Sequence, residues 1–67
     1  MDMHKLRYFM GVNGDNQAGL AKALGLPQSA LSARMNGHTE FRQREIDEIR
    51  KRYDLTADDL QEIFFAS

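Results

Sequence analysis

QAGLAKALGLPQSALSARMNG, residues 17–37, reads as two short helices joined by a tight turn. Leu20, Leu24, Leu26 and Leu31 are spaced to line one shared apolar face, and Ala21 falls where the two helices cross and only a small side chain fits. Gly25 supplies the left-handed residue that turns the chain between them. These constraints, met in order over 21 residues, make a helix-turn-helix.

The flanks extend the helical pattern. Leu6, Phe9 and Met10 at i, i+3, i+4 predict a first helix over about residues 3–12, closed by Asn13-Gly14. Asn-Gly is also a hairpin signal, but neither flank alternates like a strand. Asn16 is a natural N-cap for the second helix, Gln17 to Leu24, whose interior Gly19 costs about 1 kcal/mol relative to alanine. The third helix opens around Pro27 or Gln28, runs through Leu31 and Met35, and stops at Gly37. After a connection from His38 to Arg42, anchored by Phe41, a fourth helix carries Ile46, Ile49 and Tyr53 on one face. Thr56-Ala57-Asp58-Asp59 has the form of a capping box and opens a fifth helix with Leu60, Ile63 and Phe64 as its stripe. An apolar tail, residues 63–67, carries no stop signal. The expected fold is all-α: five helices in one domain over residues 1–67, with the helix-turn-helix at about 17–36.

A chain of 67 residues buries only about 60% of the surface its unfolded form exposes, so its thin core needs a supplement. With no cysteine and only His4 and His38, disulfides and metals give way to a partner subunit as the expected supplement, with close helix packing alone as the alternative. No apolar run approaches the ~20 residues of a membrane span, and Met1 to Met10 alternates charge with apolar residues where a secretory signal would be uniformly apolar. A cytoplasmic protein is expected.

Net charge is -1, which disfavours a polyanionic partner until the charges are located. Residues 1–44 carry +3 and residues 45–67 carry -4, so the helix-turn-helix lies in the positive part, as binding to a phosphate backbone requires. A merely solvated helix face is rich in lysine and glutamate. The polar face of the third helix instead presents Gln28, Ser29, Ser32, Ala33 and Asn36, short neutral side chains suited to close approach by bases. Glutamine offers a donor and an acceptor that can pair bidentately with adenine.

Arg50-Lys51-Arg52 offers a second DNA-contacting patch, but it ends the fourth helix, where positive charge complements the dipole, and the dipole and solvation reading is favoured. His38 either touches a phosphate or sits in solvent. Met10 and Met35 read as core filler. Metal-ligand spacing, a Gly-rich phosphate loop and a nucleophile elbow are all missing, so neither catalysis nor a cofactor is expected. Phe64 and Phe65 point about 100° apart on a helix, so one can enter the core while the other marks a subunit interface. An extended tail would instead pair with its twin as a strand.

Gln17, Ala21, Gly25, Gln28-Ser29, Leu31-Ser32 and Asn36-Gly37 together resemble the helix-turn-helix of the Cro and lambda-repressor-like, or Xre-type, family of small phage and prophage regulators. Phe41, Glu45-Ile46, Tyr53, Leu55 and Ile63-Phe64-Phe65 resemble the endings of such proteins. The resemblance implies a transcriptional regulator without a cofactor, binding double-stranded operator DNA as a homodimer and acting by occupying it. Carried over, Gln28, Ser29 and Ser32 would face base edges and Ala33 a thymine methyl. Gln17, Asn36, Arg34 and His38 would meet phosphates. Pro27 and Arg42 depart from the family pattern, which more often places a capping hydroxyl at both positions. A DNA-binding antitoxin is the alternative within the same class. In a different class is an interaction module whose acidic Glu45–Glu62 segment and tail dock a partner while the helix-turn-helix stays idle.

Overall fold

Four helix ends close on one backbone motif, in which the chain turns through a left-handed residue and two amides reach back to orphan carbonyls. After α1 (Met3–Val12), Gly14 N–H donates to Gly11 O and Asp15 N–H to Met10 O. α2 (Gln17–Leu24) ends likewise at Gly25, and α3 (Gln28–Met35) at Gly37, where φ is 81°. Positive φ is why glycine stands at these three turns. α4 (Gln43–Tyr53) uses Asp54 instead, at φ 53°, with Leu55 N–H on Arg50 O. The computed structural model describes residues 1–66; Ser67, at the end of the expected tail, lies outside the described residues.

Starts are set by side chains where the sequence provides them. Asp2 accepts the Lys5 N–H, Asn16 accepts the Gly19 N–H at 2.8 Å, and Thr56 and Asp59 exchange both bonds of a capping box. Pro27 caps α3 without a side-chain bond, so that helix opens at Gln28. α5 (Ala57–Leu60) is shorter than its stripe predicts, because the chain widens into a π-helical turn, Gln61–Phe65, closed by Ala66 N–H on Gln61 O at 2.7 Å. The extended, strand-pairing form of the tail is thereby overturned: the segment is helical up to Phe65.

Among the described residues the elements are all helical. Leu6, Leu20, Leu31, Ile49 and Ile63, one each from α1, α2, α3, α4 and the π turn, are fully buried and form the centre of the core. Ala21, 2% exposed, sits where α2 meets α3. The exposed surface is 4263 Å², against about 4,300 Å² for a folded monomer of this mass. The chain therefore buries what is ordinary for its size, and its core is as thin as its length implies. No helix of the described residues is long and apolar enough to cross a membrane.

Candidate nucleic-acid interface

At 100° per residue, Gln28, Ser32, Asn36, Ser29 and Ala33 fall within an arc of roughly 140° on α3. Gln28, Ser29 and Asn36 are exposed, and Ser32 and Ala33 are half-buried. The opposite side carries Leu31, Arg34 and Met35, all buried. A short helix thus presents a continuous face of small neutral groups, held from behind by the core. Asn36 Nδ2 lies 3.4 Å from Ser32 Oγ, so the two polar groups one turn apart share that face.

Gln17 opens α2, half-buried, with its Nε2 donating to Met35 Sδ at 3.1 Å; this ties the first residue of α2 to the last of α3. His38 is exposed just beyond α3, its backbone N–H used to close that helix on Ala33 O. Lys22 on α2 and Arg42 and Arg44 at the start of α4 are exposed, and among the described residues they make no ion pair.

Arg34 is the correction. Expected at a phosphate, it is 8% exposed and turned inward, with Nε donating to Glu45 Oε1 at 2.7 Å and Nη1 to Ala30 O at 3.3 Å. The signal was present, since Arg34 stands three residues after the core residue Leu31 and beside Met35, on the buried stripe. A guanidinium there needs a buried acid, and Glu45 is 1% exposed. Glu45 Oε1 also accepts the Arg42 N–H at 3.0 Å, capping α4 where Arg42 offers no acceptor. Burial favours the neutral Glu45 acid, but the Arg42 amide and Arg34 guanidinium outweigh it and hold the carboxyl below its ordinary value.

Asp15, which the sequence reading passed over, is a second hub. Its Oδ2 accepts Arg52 Nε at 2.7 Å and Tyr53 Oη at 2.6 Å, and its Oδ1 accepts the Asn16 N–H at 2.9 Å. Arg52, more than burial, sets its titration, and the carboxyl is pushed down to about 2. Arg52 is therefore more than a dipole partner at the end of α4. Burial, and then the Asp15 carboxylate, push the Tyr53 phenol up.

Phe64 packs on the core and meets Phe41 edge to face, ring centroids 5.2 Å apart, whereas Phe65 is 55% exposed. The adjacent pair divides, one ring against the core and the other in solvent, although the π turn that carries them is wider than the α-helix assumed for the 100° step. Phe65 stands on the rim of a hollow of about 390 Å³ lined by Gly37, Thr39, Glu40, Phe41 and Phe64, at the C-terminal end of α3.

No curated protein and no solved structure matches this chain. A family model described as helix-turn-helix matches residues 13–60, from the turn after α1 to the end of α5. The chain belongs to the Xre-type helix-turn-helix family of DNA-binding proteins.

Proposed function

We propose that this protein is a transcriptional regulator that reads double-stranded DNA through α3 and acts by occupying an operator, as Cro and the phage repressors do. The observation that carries the reading is the arc of Gln28, Ser29, Ser32, Ala33 and Asn36, exposed at Gln28, Ser29 and Asn36 and half-buried at Ser32 and Ala33, on a helix whose other side is locked into the core. Gln28 and Ser29, at the exposed start of α3, are assigned to base edges, Ser32 beside them, and Ala33 to a thymine methyl. Gln17, Asn36 and His38 are assigned to phosphates. Lys22, Arg42 and Arg44 replace Arg34 as the supply of unpaired positive charge.

Two linked copies are part of the proposal. One helix-turn-helix reads few base pairs, and half-sites one turn apart, roughly 34 Å, need a dimer. Phe65, on the rim of the hollow beside the end of α3, is the assigned contact. Phe64, engaged with Phe41, supports it from within. A dimer would serve DNA geometry and would also cover apolar surface that the thin core leaves exposed at Phe65.

The test is selection from a random duplex library with the purified protein. Enrichment of a two-fold symmetric site with half-sites about one helical turn apart is expected. Recovery of no preferred sequence would favour the interaction-module reading.

A further inference from the structure

We propose that Glu45 and Asp15 are positioning residues for DNA reading: through them the two ends of α4 fix the end of α3 and the start of α2, and so the angle at which the helix-turn-helix meets DNA. The inference rests on the DNA reading above. α4 is 11 residues, about 16 Å, long. At its first turn Glu45 holds Arg34, in the last turn of α3, with side-chain exposures of 1% and 9%. At its last turn Arg52 and Tyr53 hold Asp15, which precedes Asn16, the N-cap of α2. A single rod is thus fastened to both ends of the two-helix unit by charged groups 11 and 37 residues apart in sequence.

The charges are also ordered along the rod. An acid stands at the positive end of the α4 dipole and a base at its negative end, so each group is stabilised by the helix it belongs to while gripping the other. Apolar packing is non-directional, and a buried ion pair is commonly no more stabilising than apolar residues of the same volume. What the pairs add is direction. Glu45 Oε1 takes the Arg34 Nε and the Arg42 amide at once, which defines how α3 lies against α4. Asp15 receives three donors, which defines where α2 begins. None of these groups belongs to the exposed arc of α3, so they act through the placement of Gln28 and Ser29.

The test separates orientation from stability. The double variant Arg34→Met/Glu45→Leu replaces the buried pair by apolar residues, and Asp15→Asn removes the charge at the other end. Each is titrated against the selected duplex and a scrambled duplex of the same composition, at a temperature where thermal melting shows it fully folded. The double variant, in which the Arg42 amide also loses its acceptor, is expected to melt lower by roughly 5 °C, while the affinity ratio of selected to scrambled duplex falls by about tenfold or more, the worth of one bidentate base contact. Asp15→Asn is expected to lower the ratio as well. An unchanged ratio in the folded variants would overturn the inference, whatever happens to melting. Should the double variant not fold, Glu45→Gln, which keeps the shape and loses the charge, decides by the same criterion. A wild-type ratio of one would remove the DNA reading and this inference together, whereas a high ratio in wild type that survives the substitutions removes the inference alone.

Discussion

Gly19 lies inside α2, where alanine is worth about 1 kcal/mol more helix stability. Yet a Cβ built there stands 2.3 Å from Asp15 Oδ1, and that carboxylate is held by Arg52, Tyr53 and the Asn16 amide. Gly19→Ala is therefore expected to lower the melting temperature by roughly 5–10 °C. In an Asp15→Ala background the same change should raise it; thermal denaturation of the four proteins in that cycle decides. In the proposed reading Gln28 carries the most base-specific contact. Gln28→Ala should cost about 1–3 kcal/mol on the selected duplex and little on scrambled DNA, while Lys22→Ala should weaken both alike and reduce the salt slope by about 1. Equal losses on both duplexes for Gln28→Ala would show that α3 does not read bases through this side chain. The exposed residues of α3 were legible because periodicity separates its faces. Arg34 was misplaced because its charge outweighed its register in the reading: it shares the stripe of Leu31 and Met35, and the acid that permits this comes from another helix.

Helix limits were legible wherever a local side chain or glycine sets them. Asn16, Gly25 and the Thr56–Asp59 box act within a few residues, so the sequence carries the whole cause. The Asp15–Arg52–Tyr53 cluster was not legible, since its partners are 37 and 38 residues apart and no local pattern pairs them. The π turn escaped because the stripe of Leu60, Ile63 and Phe64 reads equally well as α-helix and no local residue marks the wider spiral. The Asp15 cluster also fixes how the joint between α2 and α4 responds to acid. The folded carboxyl titrates at about 2, below its ordinary 3.8, so its contribution is complete above about pH 4 and is lost as pH falls toward 2. The shift corresponds to at most about 2 kcal/mol, less in salt, because Arg52 is 40% exposed. Asp15→Asn should be less stable than wild type at pH 7, and the two should converge near pH 2. Melting temperature against pH for both proteins checks this, and parallel curves would assign the acid sensitivity elsewhere.

As a body, the protein pairs a helix-turn-helix with four large apolar residues left outside its core, Met1, Tyr8, Val12 and Phe65, the last of them beside the C-terminal end of α3. Phe64 and Phe65 should separate accordingly: Phe64→Ser should lower the melting temperature, whereas Phe65→Ser should preserve helical content and raise the dimer dissociation constant. Sedimentation with and without the selected duplex reads both, and a full-length chain that stays monomeric on DNA would end the symmetric-operator proposal. The net charge of -1 gives no general attraction to a polyanion, so the proposed binding depends on local charge, for which exposed Lys22, Arg42 and Arg44 are available, and on the proposed base contacts of α3. The decisive measurement is the affinity of the wild-type protein for the selected and scrambled duplexes, by fluorescence anisotropy over a range of salt. The expected result is binding to the selected duplex at least about 10³-fold tighter than to the scrambled one, with log K falling linearly with log salt for both. Equal affinity for the two duplexes, or a flat response to salt, would contradict sequence-specific DNA reading by α3.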